Sequence, residues 1–204
     1  LSLALSRTSL FTLDSPYPFL LAVVGVGLVA LLVLVEARAY QPLLVPALFR
    51  SWSFLTSNLT QVLVGVALIV AMVTVPLMAN TLMGKSPLTG ALWLLRLTGA
   101  IPLGAVAGGL MVNRFGSSPL TVVGLAMMAV GMFLASGWEL GIADPALTIH
   151  LVIAGFGFGL VIAPITVQAL SSADNDYRGT AASLVVVSRM MGMTLGLATL
   201  SAWG

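Results

Sequence analysis

The sequence predicts an all-α integral membrane protein with six transmembrane helices. Of its 204 residues, 59% are hydrophobic and only 7% are charged, whereas a soluble domain carries about 25% charged residues. Apolar segments of about the length needed to cross a bilayer occur at 17–36, 55–82, 90–111, 118–138, 146–170 and 179–203. Short segments rich in glycine, proline and serine separate most of them, as expected for turns between helices.

The composition also excludes several classes of function. The net charge is +2 and the chain has no cysteine and a single histidine, so it predicts no nucleic-acid partner, no disulfide, no metal site and no cofactor. No nucleophile–base pair that would indicate an intramembrane enzyme is visible. Two roles remain open for His150: a hydrogen-bonded residue near a helix end, or a proton relay.

Small residues recur at helical spacing inside the predicted spans. Gly104 with Gly108, Gly155 with Gly159, and Gly192 with Gly196 form three GxxxG pairs. Such pairs let helix backbones approach closely in lipid, where no hydrophobic effect drives association. The "GFGFG" stretch at 155–159 therefore predicts helix packing, because a nucleotide loop would have to follow a strand. Prolines inside three spans predict bends: Pro76, Pro102 and Pro164.

The most specific stretch is "GGLMVNRFGSSPL" at 108–120. It resembles the cytoplasmic loop signature of the major facilitator superfamily, in its C-terminal copy. Gly109, Leu110, Arg114 and Gly116 match that signature, and close packing is expected of its glycines. Asn113 stands where the family usually has aspartate, and serines replace the basic pair.

Other stretches narrow the resemblance to the 14-span drug:proton antiporter branch. "QPLLVPALFRSWSF" at 41–54 resembles the entry to the C-terminal domain, and "SRMMGM" at 188–193 resembles a sub-branch with mycobacterial efflux and lipid-export proteins. The resemblance implies an extra central transmembrane helix at 1–36, a cytoplasmic linker at 37–54 and an incomplete C-terminal transporter domain of five helices at 55–204. The N-terminal transporter half is then expected to be missing from this chain. The alternative is a complete six-span protein.

The function implied by the resemblance is secondary active efflux of amphipathic or apolar small molecules or of lipids. It would proceed by alternating access, with protons as the coupling ion. The protein would lie in the inner (plasma) membrane, crossing the lipid bilayer several times. The alternative is a non-catalytic membrane subunit or scaffold that reuses the transporter fold. In the resembled fold the second and fifth spans line the substrate cavity, which makes Gln61, Met72, Gly159 and Gln168 candidate cavity residues.

Two arginines fall inside predicted spans. Arg189 lies ten residues into its span, about 15 Å from the membrane surface at 1.5 Å per residue. Arg96 lies closer to the outer surface. A charge at such depth is costly and functional by default, and no acid in the sequence is predicted at the same depth. We therefore expect both arginines to pair with carboxylates of the missing half, across the interface between the two transporter domains.

The distribution of basic residues predicts the orientation of the chain. Arg38, Arg50, Arg114 and Arg178 lie on one side, against Arg7 and Lys85 on the other, which places 37–54, 112–118 and 171–178 in the cytoplasm.

A tag accessibility experiment tests this orientation. We expect a tag at Ser117 to be inaccessible from outside intact cells and a tag at Gly141 to be accessible. Each tag serves as the control for the other, because permeabilised cells should label both. Labelling of Ser117 in intact cells would reverse the predicted topology.

Overall fold

A computed structural model describes residues 50–138, 142 and 144–203, and the separate positions Val24, Gly27, Leu31, Leu34, Val35 and Leu48. The chain divides into two compact units, residues 1–45 and 46–204. The predicted span at 17–36 and the linker at 37–54 lie outside the described residues apart from these positions and the beginning of the first continuous helix. Their assignment as an extra helix and a cytoplasmic linker therefore stays a prediction.

Five long α-helices make up the continuous part of the structure. They are α1 (Trp52–Leu77), α2 (Pro87–Phe115), α3 (Ser117–Ser136), α4 (Asp144–Ser171) and α5 (Arg178–Trp203). A π-helix (Met78–Leu82) extends α1, and a 3₁₀-helix (Asn175–Tyr177) precedes α5. Among the described residues, these five segments are long and apolar enough to cross a membrane. They confirm the last five predicted spans as helices.

The helix boundaries follow from local capping chemistry. The Ser51 side chain accepts a hydrogen bond from the Phe54 backbone N–H at 3.4 Å, and Ser86 caps α2 in the same way. Pro87 occupies the first turn of α2, where a missing N–H costs nothing. Gly116 separates α2 from α3 with a φ of 82°, a conformation that side chains with a Cβ rarely adopt. The two helices can therefore follow each other with a single residue between them.

Prolines lie within three of the helices, as the sequence predicts: Pro76 in α1, Pro102 in α2 and Pro164 in α4. Beyond Pro76 the hydrogen bonding of α1 changes to the π pattern at Met78–Leu82. A π segment shifts the helical register and is often found at functional sites. The C-terminal end of α1 is thus irregular, whereas α2 and α4 continue as α-helices through their prolines.

Helix α4 lies at the centre of the bundle. It contacts each of the other four helices and is the most buried of the five. Its fully buried side chains include Leu147, Leu151, Phe158 and Ile165. The outward faces of the surrounding helices remain apolar, with Leu103, Leu110 and Phe133 more than half exposed, among others. Apolar exteriors of this kind match a lipid environment.

Backbone contacts through glycine hold α4 against its neighbours. A Cβ at Gly155 would collide with the Leu97 carbonyl oxygen of α2, and one at Gly159 with the Ile101 carbonyl oxygen. A Cβ at Gly104 would in turn collide with the Phe156 carbonyl oxygen of α4. Two of the predicted GxxxG pairs therefore interleave, which confirms their predicted role in helix packing. Gly157, the middle glycine of the GFGFG stretch, makes an equivalent contact with Gly124 and Met128 of α3.

Two alanine substitutions in α2 test these contacts. We expect Gly104→Ala to destabilise the protein by about 1–3 kcal/mol, because the new methyl group collides with backbone that cannot move cheaply. Gly99→Ala is the matched control, since a Cβ at Gly99 meets nothing within 4 Å. That substitution should be neutral, or stabilising by up to about 1 kcal/mol. Thermal unfolding in detergent measures both, and equal shifts would contradict the packing role of Gly104.

Candidate functional site

The candidate site lies where α1 and α5 meet. A Cβ at Gly65 of α1 would collide with the Arg189 carbonyl oxygen of α5, and a Cβ at Gly192 of α5 with the Val62 carbonyl oxygen of α1. Gly196 contacts Val66 and Ile69 of α1 in the next turn. The third predicted GxxxG pair is thus also a tight helix contact. Because the backbones touch, side chains beside the contact are held at fixed positions.

Arg189 binds Gln61 directly beside this contact. The Arg189 Nε–H donates a hydrogen bond of 3.0 Å to Gln61 Oε1. Gln61 is completely buried, and Arg189 is half-buried. The sequence analysis assigned Gln61 to the substrate cavity and Arg189 to a domain interface. The structure brings these two residues together in one hydrogen-bonded pair.

Other polar side chains in the N-terminal half of α1 also form hydrogen bonds to neighbouring helices. Ser188 of α5 donates to Asn58 Oδ1 at 2.7 Å. Gln168 of α4 donates from Nε2 to Ser53 Oγ at 2.9 Å. These bonds tie α1 to α4 and α5 within a largely apolar bundle. A signal was present in the sequence, because Ser53, Ser57 and Gln61 recur every four residues and therefore share one face of the helix.

The other predicted cavity residues occupy different surroundings. Met72 packs against the hydrophobic core. Gly159 lies in the contact between α4 and α2, where no side chain would fit. Gln168 is half-buried, with the bond to Ser53 just described. Their role as cavity residues stays a prediction, because the resembled cavity would lie between this part and a half that the chain is expected to lack.

Arg96 has an acidic partner within the chain. Its Nη1 lies 2.6 Å from Asp144 Oδ1 and 2.7 Å from Thr148 Oγ1, and its Nη2 lies 3.2 Å from Asp144 Oδ2. Arg96 was expected to pair with a carboxylate of the missing half, but in the structure it pairs with Asp144 of this chain. Asp144 was assigned to a loop, but it is the first residue of α4. The long arginine side chain extends from α2 toward that helix end.

A cluster of aromatic residues lies near the same end of the bundle. The Trp138 indole N–H donates to His150 Nδ1 at 3.1 Å. The Trp138 ring also meets the Trp93 ring edge-on, with 5.8 Å between centroids. His150 Nδ1 therefore serves as the acceptor of this hydrogen bond. The cluster attaches the segment after α3 to both α2 and α4.

An apolar cavity of about 130 Å³ opens beside Trp138. Its walls come from α1, α3 and α4 and include Thr74, Val75, Met132 and Leu151. None of the four predicted cavity residues lines it. The cavity and the Gln61–Arg189 pair are therefore separate features of the structure.

The prediction for the glycines of the signature loop differs from the structure in one respect. Arg114 lies in the last turn of α2, with its guanidinium 5.5 Å from the Phe115 ring centroid. A Cβ at Gly109 would meet nothing within 4 Å, and one at Gly116 would meet only Pro119 at 3.9 Å. The expected close packing of these glycines is therefore wrong within the described part of the chain. Gly116 is instead required by its positive φ.

The residues that the structure describes form no candidate metal site. Among them, no three histidine or acidic side chains come together. The arrangement offers hydrogen-bond donors inside a membrane-spanning bundle, and such donors can bind and orient an acceptor.

Comparison with known proteins identifies relatives of this chain, although no family model matches it. It is 39% identical to a triacylglyceride transporter of Mycolicibacterium hassiacum over 193 residues. The matched region covers 89% of this chain and 36% of the relative. It is 35% identical over 190 residues to one of Mycobacteroides abscessus, covering 88% and 37% of the two chains. For one of Mycobacterium tuberculosis the identity is 36% over 180 residues, covering 83% and 35%.

The five apolar helices and these relatives together define the class: a multi-pass membrane protein related to transporters. The relatives compared above are triacylglyceride transporters of mycobacteria. The chain spans a little over a third of the length of the curated relatives it matches.

Substitution of Trp138 tests the aromatic cluster. Trp138→Phe keeps a ring near Trp93 but removes the bond to His150, so we expect a loss of about 0.5–1.5 kcal/mol in the free energy of unfolding. Trp138→Ala also removes the ring and leaves a cavity, so it should lower the free energy of unfolding by about 3–5 kcal/mol. Thermal unfolding in detergent compares the two variants. Equal losses would contradict a separate contribution from the hydrogen bond.

Proposed function

We propose that this chain is part of a secondary transporter that exports lipids, with the architecture of the C-terminal half of a major facilitator. The observation that carries the proposal is the similarity to triacylglyceride transporters over 83–89% of the chain. The same similarity favours an apolar lipid over other amphipathic substrates.

Alternating access requires helices that move as rigid bodies around a central site. The backbone contacts of α1 with α5 and of α2 with α4 support this part of the proposal, because a helix pair joined at backbone distance moves as a unit. Each pair would then be a rocking element of the domain. The irregular end of α1 at Met78–Leu82 is where such motion could be absorbed.

Arg189 is the proposed coupling residue. Its single bond in the described part of the chain goes to a neutral partner, Gln61, so its charge is not neutralised there. We propose that a carboxylate of the remaining half pairs with it in one conformation and releases it when protonated. Proton binding would thereby shift the equilibrium between the inward-facing and outward-facing states. Arg96 is less suited to this role, because Asp144 already neutralises it.

Transport by the full-length protein that contains this chain tests the proposal. In proteoliposomes we expect transfer of a fluorescent triacylglycerol that accelerates under a proton gradient. Arg189→Ala and Arg189→Lys should each slow this transfer at least about tenfold, equivalent to about 1.4 kcal/mol. Lysine should not restore the rate, because it lacks the planar fork that binds a carboxylate at two points.

The matched control is Arg178→Ala, which removes an exposed arginine from the first turn of the same helix. This variant should transport at the wild-type rate. Absence of lipid transfer by the inserted wild-type protein would favour the alternative, a non-catalytic membrane subunit. Wild-type rates and pH dependence in both Arg189 variants would refute the coupling role alone.

A further inference from the structure

The orientation of the Gln61 side chain is determined by its partner. Arginine has five hydrogen-bond donors and no acceptor, so only the amide oxygen of Gln61 can face the Arg189 Nε–H. The amide nitrogen must therefore point elsewhere, and exchanging the two amide atoms would place donor against donor. Among the described residues, Gln61 Nε2 is buried and has no hydrogen-bond partner. An unpaired buried donor is costly and requires an explanation.

Both Gln61 and Arg189 have hydrogen-bond donors without a partner among the described residues. Arg189 makes one hydrogen bond in the described part of the chain, through Nε, which leaves its two terminal nitrogens unbonded there. Together with Gln61 Nε2, they form a group of donors that have no acceptor among the described residues. In the low dielectric of a membrane-spanning bundle, such a group favours a ligand that offers oxygen lone pairs.

The frame around these donors is rigid. Gly65 and Gly192 bring the backbones of α1 and α5 into contact beside the pair, so the helix segments that carry Gln61 and Arg189 lie at backbone distance. The Gln61 amide is enclosed in this conformation. A ligand would reach it when neighbouring helices separate, as alternating access requires, and the bond formed would remove the cost of the unpaired donor.

We propose that, in the conformation in which no carboxylate pairs with Arg189, Gln61 and Arg189 form a binding site for the carbonyl oxygen of an ester-linked neutral lipid. The inference rests on the proposed function and names the chemical group that the transporter recognises. An ester carbonyl accepts hydrogen bonds but carries no charge and no donor. It therefore satisfies the donors at the membrane midplane without the desolvation cost of a phosphate or another ion. A hydrocarbon or an ether chain would leave the donors without a comparable acceptor.

The test compares two substrates that differ only in this group. A triacylglycerol and its trialkyl ether analogue of equal chain length compete with a fluorescent triacylglycerol for transport by the full-length protein in proteoliposomes. We expect the ester to compete about tenfold more strongly, which corresponds to one or two buried hydrogen bonds. Gln61→Leu should reduce this preference several-fold, mainly by weakening competition by the ester.

Two further variants keep the result interpretable. Gln61→Met retains an unbranched side chain of similar length, so it provides a second apolar replacement if leucine impairs insertion. Thr60→Val is the matched control on α1. The Thr60 hydroxyl already bonds the Thr56 carbonyl oxygen of its own helix at 2.8 Å, so this variant should keep the wild-type preference for the ester.

The outcomes separate this inference from the proposed function. Equal competition by ester and ether in the wild type would overturn the carbonyl site while leaving lipid transport intact. That result is also expected if a carbonyl or carboxylate of the protein itself occupies the donors. An unchanged ester preference in Gln61→Leu and Gln61→Met would overturn the role of Gln61. Absence of any lipid transfer would overturn both proposals.

Discussion

Close contact between helix backbones is the constraint on which the rest of this structure depends. In lipid, no hydrophobic effect draws helices together, so association relies on packing and polar contacts. Glycines meet this requirement at the centre of the bundle, where Gly155 and Gly159 let α4 touch α2, and at its side, where Gly192 lets α5 touch α1. The Gln61–Arg189 pair lies directly beside one of these contacts.

The two arginines within the helices show two ways of accommodating a charge. Arg96 reaches an acidic residue at the first turn of α4 and also bonds Thr148, so its charge is balanced near the end of the bundle. Arg189 lies beside a backbone contact, where its bonded partner among the described residues is the neutral Gln61. The first arrangement connects two helices. The second retains a charge and free donors in the interior, which is the arrangement expected of a binding or coupling site.

Some features of the structure could be predicted from the sequence and others could not. The last five predicted spans and the packing role of the three GxxxG pairs followed from apolar length and small-residue spacing, and the structure confirms them. The salt bridge of Arg96 was missed, because the beginning of a helix cannot be located to within one turn from hydropathy. Gly109 was given a packing role, but among the described residues nothing lies within 4 Å of a Cβ at this position, because a motif does not state which way a helix face points.

The sequence by itself determined that this protein is helical, membrane-spanning and held together by small residues, because these properties depend on composition and on local periodicity. The tertiary structure decided which side chains meet. Gln61 and Arg189 are separated by 128 positions in the chain, and their pairing depends on how α1 and α5 are rotated about their axes. That rotation is set by the fit of glycine surfaces against a neighbouring backbone, which is a property of two helices together and of neither alone.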